Sequence, residues 1–424
     1  MSSLYTVTPP LEESSGPGEQ ADLKVRLQRA ERSNKVRSLL LVMPLLAFIV
    51  VFFLLPIGDI LVRSVQNPAL STYMPKTAAY LKEWDNKNLP DERVFAALGS
   101  EMSTLAAQQE LDRVGSDLNR VQSGLKSLFS KTARVLSKSQ PASGQYKNVL
   151  IGIDGRWAKL ETWAQLKSMA PAYSGIHYLA ALDLQYDEQG NIVRQSESRR
   201  IYVDVLIKTF VMTFGITLLC MVLGYPLAYM LATLPAKVSN VLMILVLLPF
   251  WTSLLVRTTS WMVILQSNGV LNSALIKLRL IAQPLDVMFN MWGTVIAMTH
   301  ILLPFMVLPM YSVMRSIDTT YIRAAHSMGA SPLRTFLQIY FPLSLPGLSA
   351  GGILVFILAI GYYITPALVG GRTGQVISNF IAYHMQTSLN WGLAAAIGSI
   401  LLVVVLFLYW LYDRVVGISN MKLG

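Results

Sequence analysis

Six apolar runs, each close to the length that crosses a bilayer, decide most of what this chain can fold into. They cover approximately residues 39–62, 203–233, 241–265, 291–315, 348–367 and 391–413. A hydrocarbon core about 30 Å thick takes roughly 20 residues of helix, and inside it each backbone amide must bond within its own segment. Composition agrees, with 53% of residues hydrophobic and 14% charged, against roughly 25% charged in soluble domains. The sequence therefore predicts an all-α polytopic membrane protein with six transmembrane helices.

The net charge of +11 suits nucleic acid in principle. No basic stripe interleaved with stacking aromatics lies outside the apolar runs, however, so no nucleic-acid partner is expected. Cys220 is the single cysteine, and His177, His300, His326 and His384 are not paired at ligand spacing. Neither a disulfide nor a metal site is expected.

Part of the basic excess follows membrane topology. Lys24, Arg26, Arg29, Arg32, Lys35 and Arg37 precede the first run, and the positive-inside rule keeps a tail of residues 1–38 in the cytoplasm. The run at 39–62 is too long for a cleaved signal and lacks a small-residue cleavage site, so it reads as a retained anchor. Six crossings return the tail at 416–424 to the cytoplasm, along with Lys237, Arg315, Arg323, Arg334, Arg414 and Lys422. Residues 63–202 then form an extracytoplasmic insertion between helices 1 and 2, and residues 203–415 a core with helices 2–6. Charge on the insertion does not contradict this, because long loops translocate largely regardless of charge.

Within the insertion, Leu111, Val114, Leu118, Val121, Leu125 and Leu128 recur at three- and four-residue spacing and predict an apolar helical stripe. Leu182, Leu184 and Tyr186, then Ile192 and Arg194 beyond Gly190 and Asn191, alternate like a short hairpin. An α-rich insertion with one hairpin is expected. It is either a spacer with a small core or a docking surface for an extracytoplasmic partner.

Residues 317–347, between the fourth and fifth runs, are too polar for lipid and too patterned for a mere connector. Asp318 or Thr319 can cap a first helix, which Gly329 ends. Ser331 caps a second with Pro332 at its first position, and Pro342 and Pro346 are expected to stop it before the next span. Tyr321, Ala324, Ala325 and Met328 share one helical face suited to a partner's groove, with Arg323 and His326 on the other side.

This loop resembles that of the permease subunits of ABC importers, which carries E-A-A, three residues, G, nine residues, I, one residue, L-P. Here Arg323-Ala324-Ala325, Gly329, Ile339 and Phe341-Pro342 keep that spacing. Arginine stands where the family has glutamate, so a charge contact made there must be rebuilt or absent; phenylalanine for leucine is conservative. Leu223-Gly224-Tyr225-Pro226-Leu227-Ala228-Tyr229, the stretch from Leu248 to Arg257, and Thr365-Pro366-Ala367-Leu368 look like the spermidine/putrescine type. The likeness covers roughly residues 39–63 and 203–415, and the insertion resembles that of an extended subgroup.

The resemblance implies a bacterial cytoplasmic-membrane permease subunit with both termini inside. It implies movement of a small organic solute, with a polyamine such as putrescine or spermidine favoured over another amine, an amino acid or an opine-like solute. The implied partners are a second permease in a heterodimer, an ATPase dimer, an extracytoplasmic solute-binding protein and lipid. No G-x-x-x-x-G-K-[ST] occurs in the chain, so no catalytic residue or cofactor is expected on it; ATP and Mg belong to the ATPase. Tyr321, Arg323, Ala324, Ala325, Met328, Gly329, Ile339 and Pro342 are the expected ATPase-coupling residues. A self-sufficient secondary transporter would need a midplane carboxylate or discontinuous helices in repeated halves, and neither is visible.

Ionisable groups inside spans are costly and informative. A straight third span would put Arg257 about 24 Å from its cytoplasmic end, near the depth of Asp59 in the first. Arg257 either pairs with Asp59 or faces an aqueous path. Trp251, Arg257, Trp261, Tyr362 and Tyr363 are the candidate substrate-path residues, although tyrosines at a span end also serve as interfacial anchors. His300 is expected as a satisfied interior group, and Pro304 and Pro309 suggest a kink in the fourth span.

Overall fold

The computed structural model describes residues 35, 37–139, 141, 142, 144–187 and 189–416. The expected basic residues Lys24, Arg26, Arg29 and Arg32, and Lys422 in the C-terminal tail, lie outside them. The chain divides into two units at residue 60. The first contributes most of α1 (Arg37–Val65), which is apolar along nearly its whole length and carries one π turn at Val50–Leu54.

The second unit opens with the insertion. Its helices are α2 (Pro68–Tyr73), α3 (Pro75–Glu83), α4 (Glu92–Ala107), α5 (Leu111–Val121), α6 (Leu125–Leu136), α7 (Tyr146–Ile153), α8 (Leu160–Ser168) and α9 (Ile176–Ala181). Strands β1 (Leu184–Tyr186) and β2 (Ile192–Arg194) follow as an antiparallel hairpin in which Gln185 faces Val193. The apolar stripe is present but split into α5 and α6, because Gly124 sits at φ 95° and turns the chain. Val114, Leu118, Leu125 and Leu128 all point into one core. Phe95, Trp163, Trp157 and Phe129 form its centre, with successive ring centroids 4.4, 5.3 and 5.9 Å apart. The buried indoles are satisfied: Trp157 donates to Thr132 Oγ1 and Trp163 to the Trp157 carbonyl, both at 2.9 Å. Glu92 accepts the backbone amides of Tyr146 and Lys147 at the start of α7, tying helices distant in sequence.

The core comprises α10 (Tyr202–Thr233), α11 (Ala236–Leu247), α12 (Leu254–Leu265), α13 (Val270–Lys277), α14 (Met291–Ser316), α15 (Thr319–Ser327), α16 (Pro332–Thr335), α17 (Phe341–Gly361), α18 (Ile364–Val369), α19 (Ile377–Gln386) and α20 (Trp391–Val416). Helices α10, α14 and α17 pack together around Met298, Leu302, Met306, Val307 and Met310. Small residues permit this closeness: a Cβ at Gly351 would lie 2.9 Å from the Met306 carbonyl oxygen, and one at Gly347 3.0 Å from that of Pro309. Among the described residues five helices are long and apolar enough to cross a membrane, and a bent pair makes a sixth if it counts as one span.

Two expectations are overturned. The third span is not one helix: Ala236–Trp251 and Leu254–Lys277 meet at 99°. Helix α11 tightens into a 3₁₀ turn at Leu248–Trp251, and Ser253 starts α12 afresh by accepting the Val256 amide at 3.2 Å. Depth arithmetic for Arg257 along a straight rod therefore fails. Nor do Pro342 and Pro346 stop the second helix of this segment, since helix runs from Pro332 to Gly361. A π turn at Phe336–Tyr340, closed by the Phe341 amide on the Phe336 carbonyl, takes up the register before Pro342. The π turn of α1 likewise ends at Leu55, next to Pro56, so both bulges sit where a proline ring would otherwise press on the preceding turn. In α14 the helix is continuous through Pro304 and Pro309.

Candidate functional site

The segment from Ile317 onward builds an exposed knob from local capping alone. The Asp318 carboxylate accepts the Thr320 amide at 2.8 Å and is held below the usual carboxyl range by that backbone bond. Helix α15 ends in a Schellman motif, with the Gly329 amide on the His326 carbonyl and the Ala330 amide on that of Ala325, both at 3.0 Å. Gly329 supplies the required left-handed geometry at φ 84°. Ser331 then accepts the Arg334 amide and starts α16.

Of the expected contact residues, Tyr321 is 59% and Met328 80% exposed, and Arg323, Ala324 and Pro342 are also exposed. Ala325 is 1% exposed and belongs to the packed side, which corrects its place on the outward face. Ile339 is half-buried. Leu333, 69% exposed at the start of α16, joins the outward surface and was missed; an apolar residue just after a capping Ser-Pro was its signal. Arg323 donates to Thr320 Oγ1 at 3.2 Å and makes no ion pair among the described residues.

Behind the knob, Phe336 stacks with Tyr340 at 6.1 Å, and Tyr229 of α10 meets Tyr340 edge-on at 5.1 Å. Tyr225 bonds Ser344 at 2.8 Å, and Arg315 at the end of α14 donates to the Ala232 carbonyl at 3.0 Å. The segment behind the knob is thus packed against α10, and α10 is bonded in turn to α14 and α17.

A second polar cluster gathers where α12, α14 and the α17–α18 break meet. Trp261 donates its indole N–H to His300 Nδ1 at 3.1 Å, and Thr258 and Thr365 pair at 3.2 Å in a buried contact. Arg257 acts electrostatically on both His300 and Tyr362, and its Nε is buried without a hydrogen-bond partner among the described residues. The fold therefore brings Arg257, Trp261 and Tyr362 together and adds His300. His300 is satisfied at Nδ1 but exposed, not interior as expected. Trp251, 88% exposed on the turn before the bend, and Tyr363 have no hydrogen bond or ring contact to this cluster among the described residues. No cluster of metal-binding side chains occurs among the described residues.

Residues 205–416 match the family described as binding-protein-dependent transport system inner membrane component. The chain belongs to this permease family. It is similar to the spermidine/putrescine transport system permease protein PotB of Escherichia coli K12, with 38% identity over 220 residues covering 51% of this chain and 80% of that one. PotB of Haemophilus influenzae is 32% identical over 222 residues, covering 52% and 78%. Among solved structures, a chain of a bacterial ABC transporter that imports alginate is 20% identical, with a TM-score of 0.42, over 52% of this permease and 80% of that chain. The permease is thus a membrane transport subunit of the polyamine-permease type, and its knob and polar cluster lie inside the matched region. The insertion, ending before residue 205, lies outside it.

Proposed function

We propose that this permease imports a polyamine such as putrescine or spermidine, received from an extracytoplasmic binding protein and driven by a separate ATPase dimer. The observation that carries the substrate class is the 38% identity to a protein named for spermidine/putrescine transport. In this reading Tyr321, Arg323, Ala324, Met328 and Leu333 meet the ATPase, Gly329 sets their presentation, and Ala325, Ile339 and Pro342 complete the coupling segment behind them. ATP and Mg are bound by the ATPase, and both chain ends lie in the cytoplasm of a bacterial cell whose inner membrane holds the complex. Closure of the ATPase dimer would swing α15 and α16 and, through the aromatic contacts of Tyr229, Phe336 and Tyr340, repack α10 and α17 between outward-facing and inward-facing arrangements.

Helices α12, α14, α17 and α18 carry no Asp or Glu. Carboxylates to hold a polycation would then come from the second permease of a heterodimer, with Trp261 and Tyr362 offering aromatic faces. The cationic Arg257 favours one second reading, an amine that also bears an acid group, such as an amino acid or opine-like solute. Reconstituted complex should hydrolyse ATP faster with binding protein and putrescine or spermidine than with amino acids; stimulation by acid-bearing amines alone would shift the assignment to the second reading, and none by any solute would refute both.

A further inference from the structure

The insertion is joined to the core by more than its two chain connections. Helix α9 lies against the outer part of α20, where Tyr178, Ala180 and Ala181 share an apolar cluster with Leu393, Ala396 and Ile397. A chain of three hydroxyls runs through that cluster. Ser399 Oγ of α20 donates to the Tyr178 hydroxyl at 2.8 Å, although the Ala396 carbonyl lies only 2.9 Å away. The Tyr178 and Ser64 hydroxyls are 2.9 Å apart, and Ser64 Oγ donates to the Leu61 carbonyl at 2.6 Å. Each hydroxyl has one proton, and the order Ser399, Tyr178, Ser64, Leu61 uses each once. Such a sequence polarises each bond in turn, in surroundings where Ser64 and Ser399 are 0% and 5% exposed.

Other contacts extend the seam. Asn390 donates to the Arg120 carbonyl at 3.1 Å while its side-chain oxygen accepts the Leu393 amide at the start of α20. Gly392 passes so close to His177 that a Cβ would stand 2.4 to 2.8 Å from three ring atoms. Asp183 accepts the amides of Ile201, Tyr202 and Val203 at 3.1, 3.1 and 2.9 Å, holding the first turn of α10. A flexible spacer has no need of part-buried bonds between residues so distant in sequence, and it gains nothing from a glycine pressed against a buried ring.

We propose that Tyr178 is a positioning residue: its hydroxyl locks the insertion to residues 61–65 and to α20, so that the insertion and the outer ends of these helices move as one body during transport. The idea rests on the importer reading above for its functional consequence, while the lock itself is a structural claim that can be tested separately. The hydroxyl contributes through bonds a phenylalanine keeps room for but cannot make, so Tyr178→Phe isolates it.

The test uses the full complex in lipid nanodiscs. Tyr178→Phe is expected to leave basal ATP hydrolysis unchanged, to lower its stimulation by a putrescine-loaded binding protein about fivefold, and to speed amide exchange across residues 391–399 by a similar factor. Gly392→Ala, which wedges His177 off α20 without touching the hydroxyls, should reproduce the loss of stimulation. Wild-type stimulation in Tyr178→Phe, or unchanged exchange at 391–399, overturns the proposal. Absence of stimulation in the unmodified complex with every loaded binding protein would instead overturn the importer reading, and the exchange comparison would still decide the lock.

Discussion

At Gly329 a Cβ would meet nothing within 4 Å, so crowding is not what bars a side chain there. The bar is the backbone, held at φ 84°, where a β-branched residue is strained by roughly 1–2 kcal/mol. Gly329→Val should relax by re-aiming α15, leaving the complex assembled but lowering uptake per ATP hydrolysed, which transport and hydrolysis measured on the same vesicles will report. Ser253 presents the opposite case, a side chain whose loss is felt through one bond to the Val256 amide. Ser253→Ala should cost about 1 kcal/mol at the start of α12, read as a lowered unfolding midpoint. Single residues of this kind were legible in the sequence where their effect is local: Asp318, Gly329 and Ser331 all cap as their types and spacing predict. Ala325 was not, because a helical stripe reveals which residues share a face but not which flank of it is covered by the rest of the fold.

The same limit recurs among the helices. Length and hydropathy picked out the five helices long and apolar enough to cross a membrane among the described residues, yet the third expected span is a bent pair whose break at Thr252 and Ser253 was hidden inside an apolar run although Pro249 and a capping serine marked it. Pro342 and Pro346 misled in the other direction, since a π turn can absorb what an α-helix cannot. In the insertion, the link between α7 and α8 concentrates charge: Asp154 bonds Arg156 and, from α6, Lys131, and the Arg156 side chain foremost holds its carboxyl well below the usual range. A depressed carboxyl stabilises the fold above its unfolded value near 3.8 and loses that contribution as pH falls. Acidification below about pH 4 should therefore loosen the tryptophan core around Trp157 and Trp163, with Asp154→Asn losing much of that pH dependence in tryptophan fluorescence. His177 works over a higher window. Burial pushes it down to about 4, so the seam against Gly392 should weaken as pH drops from about 6.5 toward that value, since the unfolded or detached imidazole takes the proton more readily. Arg63, Asp117 and Arg120 line the same 180 Å³ cavity and would feel the new charge; exchange at 391–399 followed from pH 7.5 to 5 measures it.

Across the second unit, the part matched by the family and the part outside it are bonded into each other, not strung in series. The sequence made the insertion visible as a long polar interval with its own apolar stripe, but nothing local linked Tyr178 to Ser399, 221 residues away. Such pairings are set by how helices meet, and only the packed fold reveals them. The carboxylate of Asp183 draws this into a practical matter for anyone trimming the chain to the size of its shorter relatives. A version spliced from residue 65 straight to residue 202 would leave the leading amides of the second span bare at the edge of the bilayer, with no acceptor to replace the one removed. The splice would need to bring its own aspartate or serine at that junction, or the shortened transporter should unravel from there.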